Sequence, residues 1–139
     1  MSRLPSRRSV LLVTLLALAV LMTLASSGTT AAVEGDAVSF EEQVLPILEA
    51  SCTECHDNRS AFSNLRLDNA EGIMAGGDLG KVVVPGEPDN SPLVLRVALP
   101  EDDLDFMPIE GDPLTDEQID LMRKWIEQGA DFGTWTGKE

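Results

Sequence analysis

One histidine, two cysteines and no tyrosine leave this 139-residue chain few of the side chains from which active sites are usually built. A structural zinc site of four Cys or His donors is out of reach, because Cys52, Cys55 and His56 are all there are and a fourth ligand would have to be a carboxylate. Neither a Ser-His-Asp set with a histidine of its own nor a glycine-rich phosphate loop can be assembled from what remains. Bases are scarce too. Lys and Arg number 10 against 24 Asp and Glu, for a net charge of −14, and a surface of that sign repels phosphate and disfavours a nucleic-acid partner. With four Phe and two Trp, a small domain has little material for a core unless another apolar body completes it.

The scarce residues are concentrated in one place, Cys52-Thr53-Glu54-Cys55-His56. Two thiols three positions apart followed directly by an imidazole form the attachment pattern of c-type haem. Each sulfur adds across one vinyl group of the porphyrin, and the histidine then lies under the ring with Nε2 toward the iron. Three other uses of the run are weaker. Zinc lacks donors; a thioredoxin-like dithiol is expected after a strand in a βαβ pattern, and none precedes Cys52; a disulfide between Cys52 and Cys55 closes too small a loop to stabilise much.

The N-terminus supports the haem reading independently. Arg3, Arg7 and Arg8 precede an apolar stretch, residues 10–25, and small residues follow it. Residues 1–31 are therefore expected to be an export signal, cleaved after Ser27 or Ala31. At about 16 apolar residues the stretch is short for a span, yet it could stay as a membrane tether. Ser6-Arg7-Arg8-Ser9 resembles a twin-arginine signal, but so apolar a stretch suits the general secretory route. Either route leads to the periplasm or the outer side of the cytoplasmic membrane. Loss of Arg3, Arg7 and Arg8 with no acid would deepen the net charge from −14 to −17.

Residues 32–38 read as a flexible leader. Ser39 with Glu42 then resembles a capping box opening an amphipathic helix with Phe40, Val44, Ile47 and Leu48 on one face. Pro46 should kink that helix or leave its first turn imperfect. Leu65 and Leu67 alternate as in a short strand, Lys81 to Gly86 reads as extended, and Ser91-Pro92 opens a short helix with serine as N-cap. Thr115 with Gln118 forms a second capping box, followed by the stripe Ile119, Met122, Trp125 and Ile126 and a stop at Gly129.

His56 is the sole histidine, so a second imidazole from this chain cannot bind the iron's other face and methionine is expected there. Met122 lies in a helical stripe and reads as core; Met74 precedes a Gly-Gly loop. Met107 is favoured because Pro108 fixes the backbone beside it on a loop. Such ligation favours reduced iron.

In order along the chain, the run Phe40…Val44-Leu45-Pro46-Ile47-Leu48, Cys52 to His56, Leu65-Arg66-Leu67, Val84-Pro85-Gly86-Glu87-Pro88…Ser91-Pro92-Leu93, Met107-Pro108, Leu114-Thr115 and Trp125-Ile126…Gly129-Ala130 resembles the short cytochrome c domains of planctomycetes. The resemblance implies an all-α, cytochrome c-like domain over residues 39–132, with a C-terminal tail at 133–139. It also implies one haem c, attached through Cys52 and Cys55 and ligated by His56 and Met107. Relatives are often fused to a larger enzyme; this chain is expected to be a free or membrane-tethered electron carrier without catalysis of its own. Its redox partners would carry a basic docking patch. A haem-based small-ligand sensor and a redox subunit of a larger oxidoreductase are the alternatives.

Overall fold

In the computed structural model, which describes residues 37–138, Ser39 opens the first element: its Oγ accepts the Glu42 amide at 3.3 Å. The Ser39 amide, however, donates to Gln43 Oε1 at 2.9 Å and not to Glu42. The cause is the wide turn that follows. Phe40–Val44 is π-helical, closed by the Leu45 amide on the Phe40 carbonyl, so the residue four along reaches the place normally held by the one three along. Helix α1, Leu45–Ser51, continues from this turn with Pro46 in its first turn. A proline there lacks an amide to donate and crowds the carbonyl four residues back, and a widened turn accommodates both demands.

Three more α-helices follow: α2, Ala70–Ala75; α3, Pro92–Val97; and α4, Asp116–Glu127. Short 3-10 turns, Phe62–Asn64 and Pro88–Asn90, punctuate the connections. Among the described residues there is no strand, and only the isolated bridges Asn69 with Gly137 and Gly77 with Gly80 have β-type pairing. The strand expected at Leu65–Leu67 is an extended segment whose amides go elsewhere: Leu65 to the Phe62 carbonyl and Leu67 to the His56 carbonyl. An all-α fold results.

Helix α4 carries the capping box as expected, with the Gln118 amide on Thr115 Oγ1 and the Thr115 amide on Gln118 Oε1. Gly129, at φ +105°, lies just past its end, where the left-handed backbone favours glycine. Ser91 behaves differently from the N-cap its sequence suggests. Its hydroxyl makes no cap bond; it accepts the Val84 amide at 2.9 Å and donates to the Glu87 carbonyl at 2.9 Å. Pro92 leaves one orphan amide fewer, and the Leu93 amide finds the Val82 carbonyl, so the helix start does not need the hydroxyl.

The core gathers Phe40, Val44, Ile47 and Leu48 from the first two turns of helix, Ile73 from α2, Leu93, Val94 and Val97 from α3, and Met122, Trp125 and Ile126 from α4. Four aromatic rings form a knot: Phe40 touches Trp125, Phe132 and Trp135 at centroid distances of 5.1, 4.8 and 4.8 Å. The residues expected as a tail take part in the fold. Trp135 belongs to the knot, the Ala70 amide donates to the Thr136 carbonyl, and the Lys138 amide to the Asp68 carbonyl. Lys138 Nζ also meets Glu49 on α1 at 2.8 Å.

The export signal and most of the leader fall outside the described residues. Among those described, no helix is long and apolar enough to cross a membrane.

Candidate functional site

Helix α1 delivers the cysteine run. The Cys52 amide donates to the Leu48 carbonyl at 2.9 Å, and the helical path continues past the helix end as the Cys55 and His56 amides turn back to the Cys52 carbonyl at 3.3 and 3.1 Å. Residues three and four apart on such a coil share a face. The two thiols and the imidazole therefore project from one side of one turn, which is the placement that attachment to one edge of a planar ring requires.

Both cysteines are free thiols and half-buried, and Cys52 packs against the core. Burial, and secondarily the neighbouring Cys55 thiol, push the Cys52 thiol up to about 12. At neutral pH it is therefore uncharged, a poor nucleophile and a costly metal thiolate. A thioether at the same place has no proton to lose, so its burial carries no such penalty. Among the described residues no group of three or more His, Cys, Asp or Glu could hold a metal ion. This removes the borrowed carboxylate that a zinc site would need, whereas a haem brings its own equatorial nitrogens.

The His56 ring is half-buried, and its Nδ1 is buried with no hydrogen-bond partner among the described residues. Buried polar atoms are normally paired; this nitrogen is not the Nε2 expected to face the iron, and with no protein acceptor on it the orientation of the ring is left to the backbone. The donor set fits haem: two thiols on one face, an adjoining imidazole, and thioethers within the same small core.

The backbone around His56 is held on both sides. Its amide is on Cys52, and its carbonyl accepts the Leu67 amide at 2.7 Å. The next residue, Asp57, is buried and folds the following turn on itself, taking the Arg59 and Ser60 amides on Oδ1 at 2.8 and 2.9 Å. Those amides, Ser60 first, hold its carboxyl below the usual range. Asp68, also buried, takes the Asn58 amide on Oδ2 at 3.1 Å and a two-pronged contact from Arg66, Nε to Oδ1 and Nη2 to Oδ2, both at 2.9 Å. The Arg66 guanidinium is the main reason its carboxyl is also lowered. Sequence reading passed over Asp57 and Asp68; the only signal for Asp68 was an arginine two residues before it.

The three methionines of the described residues separate clearly. Met122 is fully buried in the α4 stripe, as its spacing predicts. Met74, in the last turn of α2, and Met107 are half-buried against the core. Met107 lies on the long loop between α3 and α4, where its amide donates to the Arg96 carbonyl at 3.2 Å and Arg96 pairs with Asp105 at 3.1 Å. The loop thus returns to the end of α3 beside the methionine. Around it the chain is acidic and in part apolar at the surface. Glu101, Asp102, Asp103, Glu110 and Asp112 are exposed, as are Leu104 and Ile109, and no base occurs between Val97 and Met122.

Residues 52–111 match the family model described as Planctomycete cytochrome C. The matched stretch begins at Cys52 and contains His56 and Met107. No curated protein matches the chain. Among solved structures it is similar to Kuenenia stuttgartiensis hydrazine synthase, at 27% identity and a TM-score of 0.43 over 73% of this chain. The match spans 17% of that chain's length.

Proposed function

We propose that this chain is an exported monohaem c-type cytochrome that passes single electrons between redox partners and is not itself an enzyme. The observation that carries the reading is the single coil that puts Cys52, Cys55 and His56 on one face, inside the stretch that matches the cytochrome family. Bound there, haem would supply a one-electron iron couple. Cys52 and Cys55 would hold it as thioethers, His56 would bind the iron through Nε2, and Met107 through its sulfur. With His56 and Met107 both committed to the iron, a substrate would find no place on it, and the residues' work would be to hold those two side chains and exclude water. The signal expected at residues 1–31 supports delivery to the periplasm or the outer side of the cytoplasmic membrane, either free or tethered through residues 10–25.

Replacing Met107 by alanine tests the ligand assignment. The expected protein keeps its covalently bound haem, loses the sulfur-to-iron charge-transfer band of the oxidised form, binds CO rapidly when reduced and has a lower reduction potential. A variant with the wild-type spectrum would assign the sixth position to another residue, and Met74 would be the next to replace. Rapid CO binding by the wild type itself would instead favour a small-ligand sensor.

The acids around Met107 favour a partner with a basic docking patch, because opposite potentials steer encounter. Electron transfer to such a partner is expected to slow steeply between low and physiological ionic strength, as screening shortens to about 8 Å. Stopped-flow rates against salt measure this, and a flat profile would remove the steering.

A further inference from the structure

We propose that Asp68 is a positioning residue for His56, setting the orientation of the imidazole through the backbone on which it stands; the inference rests on the haem reading above. Histidines that bind metals usually donate their second ring nitrogen to a protein acceptor, which fixes the ring. His56 has no such acceptor among the described residues, since its Nδ1 is buried and unpartnered. Its orientation is therefore left to the backbone, and that backbone is gripped by one three-residue stretch. From this stretch Leu67 donates to the His56 carbonyl at 2.7 Å, and Asp68 Oδ2 accepts the Asn58 amide at 3.1 Å. The two contacts fall on either side of Asp57.

The grip is built to be stiff. Asp68 is buried and its carboxylate is saturated: Arg66 occupies one edge of both oxygens at 2.9 Å, Asn58 takes Oδ2, and Asn69 Nδ2 takes Oδ1 at 3.1 Å. A two-pronged arginine contact fixes the plane of a carboxylate as well as its position. The Asp68 carbonyl in turn accepts the Lys138 amide at 3.0 Å, and the Lys138 side chain reaches Glu49 on α1. The end of the chain thus ties the segment that holds His56 from behind to the helix that delivers Cys52 from in front.

The test uses the full chain matured with haem outside the cytoplasm, with Asp68→Ala, Asp68→Asn and, as a control, Ser91→Ala. Ser91 is buried and hydrogen-bonded in the loop before α3, so its loss lowers Tm without touching the His56 turn. Asp68→Ala is expected to keep covalent haem, since neither cysteine is altered. Its oxidised form should show a broadened or split low-spin EPR signal, and its reduced form should bind CO faster by roughly tenfold. Asp68→Asn retains an acceptor for Asn58 and should fall between it and wild type; it decides the matter if the alanine variant does not fold. In the haem-free chain, hydrogen exchange at the Asn58 and Leu67 amides should accelerate in Asp68→Ala and not in Ser91→Ala. Wild-type EPR and CO rates in the Asp68 variants, or equal changes in Ser91→Ala, would overturn the inference while leaving the haem reading intact. A wild-type chain that retains no haem on a denaturing gel would overturn that reading, and the inference with it.

Discussion

The double variant Cys52→Ala/Cys55→Ala is expected to retain no haem through denaturing electrophoresis, whereas each single variant keeps one link and a fraction of the stain. The two thiols are the only groups in the chain able to form a thioether by addition to a vinyl group, and they stand on one coil beside the imidazole. Without them, His56 would have to hold the group by coordination alone. Haem staining after export in cells competent for c-type maturation gives the measurement. Undiminished stain in the double variant would end the attachment proposal. The uncharged state of Cys52 makes a further distinction. With its thiol pushed up to about 12, Cys52 of the haem-free protein should react slowly with alkylating reagents at pH 7, read site by site by peptide mass spectrometry, unlike the attacking cysteine of a redox dithiol, which is a thiolate near neutrality.

The second large effect is on stability. Trp125→Ala should destabilise the domain by about 3–5 kcal/mol, the usual range for emptying a buried aromatic site, against a total of about 5–15 kcal/mol for a domain. Trp125 is almost wholly buried, lies 5.1 Å from Phe40 and 5.3 Å from Phe132 between ring centroids, and donates Nε1 to the Asp131 carbonyl at 2.8 Å. Its loss therefore opens a cavity where the first helical turn, α4 and the chain end meet, and leaves a carbonyl without its donor. At about 4–8 °C per kcal/mol for a domain of this size, Tm should drop by more than about 12 °C. Trp125→Phe, which keeps most of the ring contact and loses the hydrogen bond, should cost about 1–2 kcal/mol. Thermal unfolding followed by circular dichroism reads both. Equal losses in the two variants would place the stabilisation in the hydrogen bond and not in the packing.

Local signals carried far in this chain. The capping box of Thr115 and Gln118, the stripe of Met122, Trp125 and Ile126, and the disturbance at Pro46 all depend on residues within four or five positions of one another, and each appears where the spacing places it. Met122 reads as core for the same reason. Where a local signal met a competing partner, it misled. Glu42 gave way to Gln43 because the turn widened, and the Ser91 hydroxyl left the helix start for Val84 and Glu87, seven and four residues back along the chain.

The contacts around the motif were the least legible. Asp57 and Asp68 look in the sequence like two more acids among 24, yet they are buried and hold the turn that follows His56. Their side-chain partners lie one to ten residues away, with no periodicity to announce them. Residues 133–139 likewise read as a C-terminal tail, although Trp135 closes the aromatic knot and the Lys138 amide binds the Asp68 carbonyl.

The sequence by itself determined the chemistry this protein can hold, because two cysteines and the only histidine fall within five residues and a c-type motif is a matter of covalent spacing. Tertiary structure decided how that motif is held: which carboxylates grip it, and that the chain end braces it. Those contacts join segments up to ninety residues apart. They depend on which surfaces meet when the core closes, and no spacing along the chain encodes that meeting.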